Sequence, residues 1–418
     1  MDPVRPFGST YRRTRLAFFL AVLLGIAFST SARADVFVVD DDGTTGFTSL
    51  QAAVDAAREG DLVLVQPGTY FGFSLQGKGI TVAGLSTPDA VQLVGTTTIR
   101  DLDPGQVARL VALTLRGRLD ANDPAKAAAL RGLGCDGSVR VDGCAILGGT
   151  LDRAGGEGAA AAVDLYQCVD VVLMACEAIG STGYSPDAES AGIGAPGLRV
   201  QRSHAVLLET TVTGGRGGSV PPFARWLPGE GGPGVLLLEG SLLDAVLGRI
   251  DGGLGGPGGE QPARGGTGLF LDATSHATLR ATDIAGGSGG YASACDCSGP
   301  SGPVVGGLGI VDRPAVVDAP FDVQPRVVEP GDSLILTGRA PVLVLASFFP
   351  TLHVVPHTGP LIVAPPWVKN GVTVLTTPMQ VAVPTLPPGH EGVAFEFQGL
   401  TPHGLGPARS LVWLDRIP

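Results

Sequence analysis

The decapeptide Val139-Arg-Val-Asp-Gly-Cys-Ala-Ile-Leu-Gly148 returns 32 residues later as Val171-Val-Leu-Met-Ala-Cys-Glu-Ala-Ile-Gly180. The same frame occurs upstream at Ala108–Gly117 and downstream at Ala205–Gly214, Leu243–Gly252 and Ala277–Gly286. An earlier strand pattern closes at Gly84. The closing glycines are spaced by 33, 31, 32, 34, 38 and 34 residues. Two positions before each of the last six stand Leu115, Ile146, Ala178, Val212, Ile250 and Ile284. Four before stand Leu113, Cys144, Cys176, Thr210, Gly248 and Thr282. Seven before come Leu110, Val141, Leu173, Leu207, Ala245 and Leu279, and nine before Ala108, Val139, Val171, Ala205, Leu243 and Ala277. Columns of small and apolar residues at this period are what a solenoid needs, because inward positions stack on the turns above and below. The closing glycine is expected to give the bend to the next face, including positive φ.

The 418 residues hold 64 glycines and 33 prolines, with 44% hydrophobic and 16% charged residues. That is too apolar for disorder, and the glycine shows no collagen-like period of three across the chain. Residues 1–34 are expected to be a signal peptide: Arg5, Arg12, Arg13 and Arg15 precede the apolar run Leu16–Phe28, and Ala32-Arg33-Ala34 supplies small residues for cleavage. The run is too short to span a membrane comfortably, so no membrane span is expected after cleavage. Removing this segment takes five of 28 basic residues and one of 39 acidic ones, leaving a net charge of −15. Such a surface disfavours nucleic acid and anionic membranes and suits cations or neutral glycans.

Val36–Val39 reads as a strand and Asp40–Gly43 as a turn. Thr48 or Ser49 can cap a short helix with Leu50, Ala53, Val54 and Ala57 on one face. Leu62–Val65 reads as a buried strand running into Gly68-Thr69-Tyr70. The order of "FTSLQAAVDAAREGD", "LVLVQPGTY" and "GITVAG" resembles the entrance of right-handed parallel β-helix proteins of the pectin-lyase-like class. The resemblance implies about seven coils, with the helix over the open end, through residues 35–314. Insertions fall at one place per repeat, in 149–161, 181–196, 215–233, 253–267 and 287–306, before new strands at Val163, Leu198, Val235, Leu269 and Leu308. They must emerge along one glycine-rich edge, and loops on a rigid scaffold are where function is expected.

Residues 315–326 are proline-rich and read as a linker. Residues 327–418 carry strands without the 33-residue period, with turn signals every 8–12 residues, as in a small β-sandwich. They resemble C-terminal β-modules of large secreted bacterial proteins, which implies export to the cell envelope or exterior of a bacterium. Such a module is expected to cap the solenoid or dock it onto a larger assembly; the oligomeric state is left open.

Cys144 and Cys176 share one inward register, and Cys135 and Cys168 are near-equivalent upstream. In an exported protein these are candidate disulfides, yet Cβ atoms on adjacent stacked strands lie about 4.8 Å apart, beyond ordinary disulfide reach. A bridge and a reduced pair both remain open for each. Cys295 and Cys297 are a third candidate pair. Asp40, Asp41 and Asp42 are the densest acidic run and the weak candidate for calcium, the one metal considered; no other cofactor is expected. A solvated turn is the alternative.

Recognised β-helix active sites are absent. Pectin methylesterase-like sequences carry a glutamate soon after the tyrosine turn, whereas Tyr70 is followed by Phe71-Gly72-Phe73. Polygalacturonase-like sequences need Asn-Thr-Asp, Gly-His-Gly and Arg-Ile-Lys, none of which occurs. A lyase-like set of aspartates and arginine has scattered candidates in Asp164, Asp170 and Arg199. The loop-edge carboxylates Asp152, Glu157, Asp187, Glu189, Glu230 and Glu260 meet the separation that glycoside hydrolysis needs only as any scattered six would. His204 and His276 read as stacked turn residues. The binding candidates are Phe223, Arg225 and Trp226 in the longest insertion, extended by Tyr184 and Tyr291, since aromatic faces suit sugar rings or protein. Trp226 packing back on its own loop is the competing reading. The expectation is a non-catalytic exported β-helix protein that binds glycan or a cell-surface protein through this edge. The alternative is a polysaccharide lyase or glycoside hydrolase with an unrecognised site.

Overall fold

The computed structural model describes residues 34–43, 46–118, 128–149, 160–185, 191–222 and 225–313, and beyond them the backbone of strands between Phe321 and Trp413. The proposed signal peptide therefore lies outside the described residues.

Residues 36–312 wind as a parallel β-helix with three stacked faces. The first face runs through Val36–Val39, Leu62–Val65, Thr81–Gly84, Val107–Val111, 138–142, 170–174, His204–Leu208, Leu242–Val246, His276–Arg280 and Ile310–Asp312. The second is an eight-stranded stack from Gly68–Phe71 to Asp283–Ala285. The third runs from Ser74–Gln76 through 130–133, 163–166, Leu198–Gln201, Val235–Leu238 and Leu269–Leu271 to Val305–Gly307. Its last strand thus begins at Val305, three residues before the expected Leu308. Every strand on these faces is paired in parallel, so backbone groups are satisfied between coils rather than within them.

The stacked columns fall where the period puts them. Ala108, Val139, Val171, Ala205, Leu243 and Ala277 point into one continuous core with Leu110, Val141, Leu173, Leu207, Ala245 and Leu279. The column from Leu115 to Ile250 meets them from the second face. At the entrance, Leu50–Ala56 is the helix, with Ser49 Oγ accepting from Ala52 N at 3.4 Å, and Leu50, Ala53 and Val54 join the core. Lys78 Nζ donates to the carbonyls of Val54 and Ala57 at 2.6 Å each. A cation at the last carbonyls of a helix satisfies groups that have no partner within it.

Two corners turn on single left-handed residues, which correct the role expected of the closing glycines. Between the first and second faces these are Ala112, Gly143, Ala175, Glu209, Leu247 and Ala281, with φ between 45° and 60°. Between the third and first they are Asp101, Gly134, Gln167, Arg202 and Glu239. The closing glycines Gly84, Gly148, Gly180, Gly214, Gly252 and Gly286 have no positive φ. They are required because a Cβ there would strike backbone of the neighbouring coil, as at Gly148, 2.6 Å from Ser181 N.

Inside each turned corner runs a ladder of thiols and hydroxyls. Ser203 Oγ accepts from Cys168 N (2.9 Å), Ser241 Oγ from Ser203 N (3.3 Å) and Ser275 Oγ from Ser241 N (3.2 Å). At the other corner Thr210 Oγ1 accepts from Cys176 N (3.3 Å) and donates to Leu173 O (3.0 Å). The cysteines occupy the same rungs. Cys135, Cys144, Cys168 and Cys176 are free and buried, so neither Cys144–Cys176 nor Cys135–Cys168 is bridged in this structure. Each thiol instead donates to a backbone carbonyl, as Cys176 does to Val141 O at 3.4 Å. The Cys168 contact lowers the pKa of the Cys135 thiol, while burial raises that of Cys144.

The C-terminal backbone forms one sheet in the order 321–324, 333–338, 379–382 and another in the order 327–328, 404–413, 394–401, 342–347, 373–375. Pairing there is antiparallel except between Val327–Val328 and Val412–Trp413. It departs from the wholly parallel pairing of the three solenoid faces.

Candidate functional site

The third corner is the glycine-rich edge, and it is a packed body rather than a set of loops. In their described residues the insertions leave the second face in an outward run and reach the third in a returning one. Outward runs 180–184, 214–220, 252–258 and 286–291 bond to one another, through Gly183 N to Arg216 O, Gly217 N to Leu254 O and Gly255 N to Ser288 O, at 2.7–2.9 Å. Returning runs do the same through Gly194 N to Glu230 O, Gly231 N to Arg264 O and Gly265 N to Pro300 O. A second set joins the layers: Gly232 N to Gly215 O and Gly253 N to Gly232 O, then Gly266 N to Gly253 O and Gly287 N to Gly266 O, all 2.7–2.8 Å. Successive N–H groups of one run thus bond in different directions, and the two layers lock into a slab.

Glycine is the only residue that permits this approach. A Cβ on Gly253 would overlap Gly215 O, one on Gly266 would overlap Gly232 O, and one on Gly287 would overlap Gly253 O. The blocks are Gly214-Gly-Arg-Gly-Gly218, Gly252-Gly-Leu-Gly-Gly256 and Gly286-Gly-Ser-Gly-Gly290. Two glycines face neighbours and the third residue, Arg216, Leu254 or Ser288, faces outward. A period of three is therefore present within the edge, although the chain as a whole has none.

The slab holds its own tips in register. Ser219 N donates to Ser185 Oγ (2.8 Å), Val220 N to Pro257 O (3.1 Å) and Gly258 N to Tyr291 O (2.9 Å). Tyr184, residues 219–222 and 225–227, 257–259 and Tyr291 consequently sit on successive coils of one ridge, about 14 Å from end to end at the usual strand spacing. Trp226 is 38% exposed, Leu227 54% and Tyr291 49%. Arg225 is exposed and Tyr184 half-buried; Phe223 lies outside the described residues. At the far tip, Tyr291 Oη donates to Asp296 Oδ1, and Cys295 and Cys297 are joined by a disulfide in the same turn. The Asp296 carboxylate raises the Tyr291 pKa, so the ring carries a neutral hydroxyl.

A second cluster lies on the outward side of the first face. Arg140 Nη1 and Nη2 grip both oxygens of Asp170 (2.9 and 2.7 Å), and Ser138 Oγ donates to the same carboxylate. One side of Asp244 meets His204 Nε2 at 3.0 Å and the other Arg280 Nη1 at 3.2 Å. His276 meets Asp312 at 2.9 Å. His204 and His276 thus begin first-face strands and each pairs with an aspartate of the next coil, which corrects their reading as turn residues. Burial alone would raise both carboxyls. Arg140 and Ser138 outweigh it at Asp170, and His204 and Arg280 at Asp244, so both sit below the usual carboxyl range. Acid–base hydrolysis needs two carboxyls pushed apart in pKa, whereas these are pushed the same way.

Asp164 is held by Arg199 at 2.7 Å on the third face. Glu230 and Glu260 are exposed, while Asp152, Glu157, Asp187 and Glu189 lie outside the described residues. In the acidic run, Asp41 Oδ2 accepts from Thr69 N (3.1 Å) and Tyr70 Oη accepts from Asp41 N (3.2 Å), tying the turn to the second-face strand. Burial, then Asp41, pushes Tyr70 up to about 12. Among the described residues no three His, Cys, Asp or Glu side chains are grouped to hold a metal ion, and no helix is long and apolar enough to cross a membrane.

No protein-family model matches the chain, and no curated protein matches it. Among solved structures it is similar to a pectin methylesterase in complex with a hexasaccharide, at 11% identity and TM-score 0.28 over 68% of this chain and 93% of that one. It is also similar to the PL6 family alginate lyase AlyGC, at 11% identity and TM-score 0.27 over 68% of this chain and 40% of that one. Likeness at this level assigns no activity.

Proposed function

We propose that this is an exported, non-catalytic β-helix protein of the bacterial envelope or exterior, which binds glycan or a cell-surface protein through the ridge of its glycine slab. In this reading residues 1–34 are removed, 35–314 form a right-handed solenoid of about seven coils, 315–326 link, and 327–418 form a β-sandwich. The observation that supports it is the ridge itself: Trp226, Leu227 and Tyr291 stay exposed on tips locked by backbone hydrogen bonds. Little entropy is then lost when a ligand orders them. Glycan is the better fit, because a neutral Tyr291 ring and Trp226 offer flat faces, Arg225 next to Trp226 in the chain is exposed, and a net charge of −15 does not repel neutral sugars.

The test is a glycan array followed by calorimetry on wild type and a Trp226→Ala/Tyr291→Ala variant. Loss of at least tenfold in affinity is expected. Binding unchanged in the variant, or no glycan bound by the wild type, contradicts the glycan reading. A lyase or hydrolase is the alternative, and unsaturated or shortened products from acidic polysaccharides would establish it.

A further inference from the structure

The first face differs from the other two in its sequence. "LVLV" at 62–65, "VVLM" at 171–174 and "AVLL" at 205–208 are continuous apolar runs, the signature of strands buried on both sides. The second and third faces alternate in burial, as in "TVT" at 211–213 and "LRVQ" at 198–201, and even the apolar "VLLL" at 235–238 leaves every second residue part-exposed. Inward positions of the first face belong to the solenoid core. Its outward positions Val172, Met174, Val206, Leu208 and Val246 form a separate apolar cluster, and every one of them is at most 2% exposed. Beside them Arg140 is fully buried, and its Nε has no hydrogen-bond partner among the described residues; the same holds for Arg280 Nε. Leu247, at the corner, packs against the cluster.

We propose that the outward side of the first face is the docking surface for this chain's own C-terminal strands, which lie along the flank of the solenoid and not over its open end. Backbone positions support that occupant. Strand Gly404–Trp413 comes within 8 Å, Cα to Cα, of strand Val163–Met174, and strand Gly359–Leu361 does so with Leu242–Val246. The chain also leaves the solenoid on this face, since Ile310–Asp312 is its last strand. From there Val172 is four coils back, about 19 Å. Residues 313–320 can span up to roughly 27 Å when extended. The open end, by contrast, remains uncovered: Val305, which continues the inward register of Leu269, is 40% exposed. A capping module would have hidden that side chain and left the flank bare.

Met174 is the natural probe, being the one methionine among residues 34–313. In the native full-length protein its thioether is expected to oxidise with peroxide at least tenfold more slowly than in the unfolded chain, at any protein concentration. In Val206→Asp, whose new charge points away from the solenoid core, Met174 oxidation should rise towards the unfolded rate. Amides of 394–413 should lose exchange protection in the same variant while those of 171–173 keep theirs. Rapid oxidation of Met174 in the native wild type overturns the proposal. So does protection that fades on dilution as a dimer dissociates, which would make the occupant a second copy. If Val206→Asp fails to fold, the wild-type oxidation rate and its concentration dependence still decide.

Discussion

The two turned corners and the glycine edge solve one problem in opposite ways. Each must reverse the chain and still satisfy its backbone groups. The corners do it with side chains: one residue takes the left-handed conformation and the next supplies a hydroxyl or thiol rung, as Gln167–Cys168 and Arg202–Ser203 do. Residue types there are various, and Leu113 and Gly248 stand on rungs with no polar side chain. The edge does it with backbone alone, and the demand falls on the absence of a Cβ at nearly every buried position. Corners therefore tolerate exchange and the edge does not.

The sharpest contrast is steric. Gly253→Val places side-chain atoms on Gly215 O and should destabilise the protein by at least about 4 kcal/mol, read by chemical denaturation. A loss below about 1 kcal/mol would mean that the edge is loosely packed. Removing a rung is milder. Ser241→Ala leaves Ser203 N without its acceptor and should cost about 1–3 kcal/mol. Relieving a corner should help: Ala175→Gly, at φ 48°, is expected to stabilise by up to about 1 kcal/mol. Cys168→Ser keeps the rung and should change stability by less than about 1 kcal/mol, and the four coil thiols should label only on unfolding.

Acid separates the regions further, because the described residues of the slab include no buried titratable side chain whereas the first face carries Asp170 and Asp244. Their depressed pKa values give stability that is full above the ordinary carboxyl value of about 3.9 and is lost as pH falls through the lower folded values. Below about pH 4, exchange should quicken along 138–142, 170–174 and 242–246 before it does in the edge. Asp170→Ala should reproduce the first-face effect at neutral pH and cost about 3–5 kcal/mol, since it strands the buried Arg140 guanidinium.

The inward columns were legible because a fixed period and one-sided burial act on each coil alone. Leu110, Val141 and Leu173 needed only counting. The entrance helix was legible for the same reason, from Ser49 to Ala57. The pairings of His204 with Asp244 and of Arg140 with Asp170 were not. Sequence separation across coils varies with insertion length, so which outward residues meet depends on a register that only the stacked fold sets. The glycine edge was half legible. Its position follows from where insertions fall, but glycine there fits turn chemistry as well as close packing. What separates the two is the G-G-x-G-G block at 214–218, 252–256 and 286–290, which asks for close approach rather than positive φ. The cysteines misled in another way: an exported chain invites pairing, whereas here a thiol stands where neighbouring coils use serine or threonine.

Residue-resolved hydrogen exchange at neutral pH on the wild-type protein tests the slab most directly. Amides of Gly215, Gly232, Gly253 and Gly266 should be protected to within about tenfold of Val206 and Leu207 on the first face, as one cooperative unit with them. Exchange of those glycines at the rates of an open loop would contradict a packed edge, and would remove the rigid mount on which the proposed binding ridge depends.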